Sequence, residues 1–203
     1  MLPSVSSKPA LVVATPGAEP VAEGGYAAAL LLDGWALLSR ADLRASEEAL
    51  RRWLAAAALV RPGSAGGSVV VLADGAAPIV QALVRWDPIG HAERELAERK
   101  SLGLPPAVRM ASLTGAATAV NELIAIAILP NAADVLGPVA VREPQRGAPL
   151  GEADEEARIR ALVRAPRSEG ARLAAALKAA AAIRSARKAP NPVRIQLDPL
   201  EIV

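Results

Sequence analysis

Glu93-Arg94-Glu95-Leu96-Ala97-Glu98-Arg99-Lys100-Ser101-Leu102-Gly103-Leu104-Pro105-Pro106 is the stretch that decides the fold. It reads as a charged helix with a built-in stop. Gly103 can take the left-handed conformation that closes a helix, and Pro105 and Pro106 cannot continue one. Immediately beyond, Val108-Arg109-Met110-Ala111-Ser112-Leu113 reads as a strand. This helix links two regions, and each can be read outward from it.

Downstream, the spacing predicts a strand at 108–113, a helix at 116–128, strands at 135–141 and 157–165, a helix at 168–187 and a strand at 193–198. The β-α-β-β-α-β order is that of the ferredoxin-like split βαβ unit, with residues 147–156 as a flexible insertion. Upstream, residues 1–10 read as a disordered lead. Strands are expected at 11–14 and 26–32. Residues 46–59 form a helix with Leu50, Trp53, Leu54 and Ala57 on one face. A loop follows at 63–67. Val69-Val70-Val71-Leu72 is a continuous apolar run of the kind found in strands covered on both faces. A helix at 77–86 completes the region, and Asp87-Pro88 marks its end. Alternating strands and helices imply an α/β layer with a parallel sheet. The expected fold class is therefore α/β over residues 11–88 and α+β over residues 89–203.

Composition sets bounds on the chemistry. Of 203 residues, 52% are hydrophobic and 22% charged, enough to bury a core. Aromatics are only 2%, so Ala, Val, Leu and Ile must build that core; Tyr26, Trp35, Trp53 and Trp86 are its expected anchors. The absence of cysteine excludes disulfides and cysteine-ligated zinc within this chain. His91 is the single histidine and reads as a helix-start residue. No apolar run reaches the roughly 18 to 20 residues of a membrane helix, and residues 1–10 make a poor signal peptide. A soluble, cytoplasmic protein with no membrane partner is expected.

The net charge of +2 conceals a separation. Residues 158–194 carry ten Lys or Arg and one acid, Glu169, a local excess of about +9 that leaves about −7 elsewhere. Glu152, Asp154, Glu155 and Glu156 precede this basic stretch. Charge separated in this way points to a polyanionic partner. Arg164, Arg167, Arg172, Lys178, Arg184, Arg187 and Lys188 are candidate phosphate contacts, the helical ones on an outer face while Leu173, Leu177 and Ile183 face the sheet. Arg94, Arg99, Lys100 and Arg109 form a second candidate cluster. No aromatic interleaves these residues, so base stacking is not expected.

The string "ER…LGLPP" ahead of a strand resembles the start of the C-terminal domain in the PriA family of primosomal replication-restart helicases. Leu30-Leu31-Leu32-Asp33-Gly34 followed by Arg44-Ala45-Ser46-Glu47 resembles that family's second helicase lobe. Val135-Leu136-Gly137-Pro138-Val139 and Val193-Arg194-Ile195-Gln196-Leu197-Asp198-Pro199-Leu200 resemble two further signatures of its C-terminal domain. The resemblance implies a remnant of a RecA-like lobe at 11–88 and a ferredoxin-like C-terminal domain at 89–203.

The family binds ATP and zinc through regions outside this chain, which has no GxxxxGK[ST] phosphate loop. Its arginine-finger segment aligns with Ala55 to Pro62, where Leu59 stands at the finger position and Arg61 is the nearest basic residue. Its nucleotide loop aligns with Thr15 and Gly24, but Glu23 replaces the lysine. These losses resemble the degenerate branch of the family in high-GC Gram-positive bacteria. The resemblance implies a fragment or truncated product that binds branched or single-stranded DNA without hydrolysing ATP. Single-stranded DNA-binding protein, primosome components and helicase-loading proteins are the implied partners. Two alternatives stand beside this reading: part of an active ATP-dependent 3'-5' helicase completed by missing N-terminal domains, and a protein-interaction scaffold.

Overall fold

The computed structural model describes residues 4–141 and 158–200. The predicted insertion at 147–156 and the acidic run within it lie outside these. The chain divides into two compact units between Glu95 and Leu96. Both are mixtures of helix and small sheets.

The first unit opens with β1 (Ser4–Val5) and β2 (Val21–Ala22), a short parallel pair. Part of the expected disordered lead is thus paired. β3 (Ala28–Leu31) is followed by α1 (Gly34–Leu38), α2 (Ala45–Ala57), a single 3-10 turn at Gly63–Ala65 and β4 (Ser68–Val71). β3 and β4 pair in parallel, Ala28 opposite Ser68 through Leu31 opposite Val71, as the predicted parallel layer requires. Parallel neighbours need a crossover, and α1 and α2 supply it. α3 (Pro78–Arg85) starts with proline in its first turn, where the missing N–H costs nothing. Ala49, Leu50, Trp53 and Ala56 of α2 pack with Leu31, Leu37 and the Ile79, Val80 and Leu83 face of α3.

Four expectations fail in this unit. Residues 11–14 form no strand, and Leu11 and Val13 are each 91% exposed. A short apolar run makes a strand only where a neighbour offers a free edge, and β2 pairs with β1 instead. The 69–72 run is not covered on both faces: Val69, Val70 and Leu72 are exposed, as are Leu30 and Leu32 beside them. Trp35 is 75% exposed and Trp86 is also exposed, so Trp53 is the one buried tryptophan. Tyr26 is half-buried, its hydroxyl donating to the Pro20 carbonyl at 2.7 Å.

α4 (Pro88–Leu102) spans the division between the units. The Asp87 carboxylate accepts the Gly90 N–H at 2.8 Å at its start. Its end is as predicted: Gly103 has φ +64°, and the Leu104 N–H donates back to the Arg99 carbonyl at 2.8 Å.

The second unit continues with β5 (Val108–Ala116), α5 (Ala117–Ile126), β6 (Asp134–Ala140), β7 (Arg158–Pro166), α6 (Gly170–Ala186) and β8 (Arg194–Leu197). The strands form one sheet in the order β6-β7-β5-β8, with every neighbouring pair antiparallel. Ala111 and Leu113 of β5 and Ile159, Ala161, Val163 and Ala165 of β7 point to one face. There they pack with Val120 and Leu123 of α5 and Leu173, Leu177 and Ala180 of α6. Alternation along β5 and β7 sends the intervening residues to the opposite face.

Candidate nucleic-acid interface

α6 is where the sequence placed a basic outer surface. The structure corrects that picture. Leu173, Leu177, Ala180 and Arg184 form its buried stripe, at the i, i+4, i+7, i+11 spacing of one helical face. Arg184 occupies the place expected for Ile183, which is 40% exposed. The Arg184 guanidinium donates to the Pro190 carbonyl at 2.8 Å and the Asn191 carbonyl at 3.1 Å, and it pairs with Glu122 of α5. It fastens the end of α6 to the turn before β8 and is not available to a ligand. At about 100° per residue, Arg172 and Arg187 lie about 60° apart around the axis but about four turns apart along it, and Lys178 points about 120° or more away from both, so the three do not make a stripe. Arg172 pairs with Glu169 at 3.4 Å. Lys178, Arg187, Lys188 and, in the turn before α6, Arg167 are exposed.

The second predicted cluster is also divided. Arg94 and Lys100 are exposed on α4, Arg94 within residues 1–95 and Lys100 beyond them. Arg99 is buried and donates to the Pro105 carbonyl at 3.5 Å, closing the loop that ends the helix. Arg109 is exposed and ion-paired with Asp198.

The arrangement that sequence reasoning missed lies on the sheet face turned away from α5 and α6. Arg158, Arg160 and Arg164 alternate along β7 and point to that face, opposite to Ile159, Ala161 and Val163. Thr114 of β5 stands opposite Arg160 on one side and Arg194 of β8 on the other. The next row along is Leu136, Leu162, Ser112 and Gln196. Arg164 lies at the far end, held by Asp134 at 3.1 Å and by the Leu102 carbonyl at 3.4 Å. The signal was present: Arg-Ile-Arg-Ala-Leu-Val-Arg alternates with period two, and that pattern orients strand side chains.

The nucleotide-side remnants do not fit a nucleotide. Thr15 sits in a turn in which the Glu19 carboxylate accepts the Gly17 N–H at 2.9 Å, so an acid occupies an amide that a phosphate would need. The Gly24-Gly25 turn lies against the backbone of Arg61, whose N–H donates to the Tyr26 carbonyl at 3.0 Å. Glu23 adds negative charge beside it. His91 is buried, 3.1 Å from the Ser46 hydroxyl and 3.9 Å from Glu95. With no cysteine in the sequence, this donor set does not fit zinc. Among the described residues no helix is long and apolar enough to cross a membrane.

Comparison with known proteins agrees with this anatomy. Residues 100–200 match the family described as the primosomal protein N C-terminal domain, which spans the four-stranded sheet and both of its helices. The chain belongs to the PriA family and matches the C-terminal region of its relatives. It is 55% identical over 206 residues to the probable replication restart protein PriA of Mycobacterium leprae (strain TN), covering 100% of this chain and 31% of that protein. It is 52% identical over 209 residues to the protein of the same description from Mycobacterium tuberculosis (strain CDC 1551 / Oshkosh), covering 100% of this chain and 32% of the relative. The chain thus spans about a third of the length of these relatives.

Proposed function

We propose that this chain is the DNA-contacting C-terminal part of a replication restart protein, acting at stalled or branched forks without hydrolysing ATP itself. The observation that carries the reading is similarity along the whole chain to proteins described as probable replication restart proteins. Exposed arginines and lysines in the second unit supply the charge that such a role needs. In this reading residues 100–200 are a ferredoxin-like split βαβ domain, supported by the strand order β6-β7-β5-β8 and the two helices on one face. The first unit is the remnant of a RecA-like lobe, supported by its parallel β3–β4 pair and helical crossover. Glu19 and Glu23 at the nucleotide-side turns favour a lobe kept as scaffold. Single-stranded DNA-binding protein, primosome components and helicase loaders are the partners in this reading, and the cytoplasm is its compartment.

The test is binding of the purified chain to a labelled fork and to a linear duplex across a salt series, with ATP turnover measured alongside. Fork-preferring binding that weakens steeply with salt supports the reading. ATP turnover above background refutes its non-hydrolysing part. One observation favours a second reading, a protein-interaction surface: Leu30, Leu32, Val70 and Leu72 expose an apolar face on a parallel sheet, a type normally covered on both sides. Absent or salt-insensitive DNA binding favours that reading.

A further inference from the structure

We infer that the DNA contact is made by the sheet face opposite α5 and α6, centred on Arg160 and Arg194, and that it grips phosphates and leaves the bases unread. The inference rests on the reading that this chain binds DNA and assigns the surface that does so. The row Arg160–Thr114–Arg194 crosses three hydrogen-bonded strands, which puts the two arginines roughly 10 Å apart, two strand spacings. A rigid sheet therefore fixes their separation, whereas on α6 Lys178 points about 120° or more away from Arg172 and Arg187.

Among the described residues no acid is paired with Arg160 or Arg194 at the centre of this face. The acids near the Arg164 end are already engaged, Asp134 with Arg164 and Asp198 with Arg109. Arg194 is exposed on β8. Arg160 is half-buried, and its Nε–H is buried without an acceptor among the described residues. A buried donor on a charged group left unsatisfied is costly, and an anion held beside the guanidinium would offset that cost through its charge.

The chemistry of the row also says what is not read. The three tryptophans and the tyrosine lie between residues 26 and 86, so the face offers no ring on which a base could stack. Thr114, between the arginines, and Ser112, in the next row, are both buried, with their hydroxyls 3.5 Å apart. What reaches out is guanidinium, which is suited to phosphate. Contacts of that kind position a nucleic acid and are independent of its sequence.

The experiment compares three versions of the whole chain on one labelled duplex between 50 and 200 mM salt: unmodified, Arg160→Gln/Arg194→Gln, and Lys178→Gln/Arg187→Gln on α6. Each phosphate contact contributes about 0.9 to the log–log salt slope. Losing two lowers the slope by about 1.8, so the unmodified chain should lose about tenfold more affinity over this fourfold salt range than the sheet variant does. The α6 variant should keep the parental slope. Arg160→Lys/Arg194→Lys, which keeps the charge, should restore the slope and shows that the loss is not one of folding. A sheet variant with the parental slope, in a chain that binds DNA, overturns this assignment and leaves the proposed function standing. No binding by the unmodified chain at low salt overturns both.

Discussion

Arg184→Met should destabilise the second unit by about 3 kcal/mol, a figure that follows from what the guanidinium touches. It donates to the Pro190 and Asn191 carbonyls and pairs with Glu122. Hydrogen bonds from a charged donor contribute about 1.5 to 3 kcal/mol each. Pro190 and Asn191 are exposed, so water can re-solvate their carbonyls and the lower figure applies to both. Removing one partner of a fully buried ion pair costs about 3 to 5 kcal/mol, but the Glu122 side chain is 41% exposed and regains water. Its share falls toward the 0 to 1 kcal/mol of a surface pair. A loss of about 3 kcal/mol is a large part of the roughly 5 to 15 kcal/mol that holds a domain together, and it should lower Tm by about 10 to 20 °C. Arg184→Lys keeps the charge without the fork, so it should fall between the two. Urea denaturation followed by far-UV circular dichroism measures the change. Amide exchange along Arg194–Leu197 localises it, since all three tryptophans lie in the first unit and their fluorescence does not report on this one. A change within about 0.5 kcal/mol of the parent would refute this account and make Arg184 a free surface cation.

Two further outcomes follow from the first unit. Hydrogen bonds from Arg51, and then from Arg52, hold the Glu48 carboxyl at about 2, below its ordinary 4.5. The unfolded chain binds the proton first, so this contribution is present above pH 4.5 and is lost as pH falls toward 2; Glu48→Gln should flatten that part of the acid limb in a stability-against-pH series. Trp53 is the buried aromatic of the core, and its indole N–H has no acceptor among the described residues. Trp53→Ala should cost about 3 to 5 kcal/mol, and Trp53→Phe less than half of that, because a ring is kept and an unsatisfied donor is removed; equal losses in denaturation would contradict the packing described.

The second unit was the more legible in sequence. Its strands and helices follow the predicted order, and their ends shift by only a few residues. Local signals carried that result: Gly103 before two prolines for the stop, and alternating burial along β7. The first unit was less legible because its apolar runs are short and alanine-rich, and such runs fit more than one environment. Residues 11–14 have a strand's composition and no strand partner. Trp35 and Trp86 have the size of core anchors and sit outside the core.

What the sequence determined alone is the set of features that a few neighbouring residues can enforce. These are the helix stop at Gly103, the element order of residues 100–200, the parallel pairing of the strands at β3 and β4 and the motifs that carry the family resemblance. The structure alone decided which of the predicted cations are free. Arg184 and Arg99 are buried because acceptors distant or around a turn in the chain, at Glu122, Pro190 and Pro105, come within reach only when the elements pack. Arg160 and Arg194 share one row because β7 and β8 both pair with β5 in a fixed register. A strand's own pattern sets which face each side chain takes; only long-range pairing sets what stands beside it.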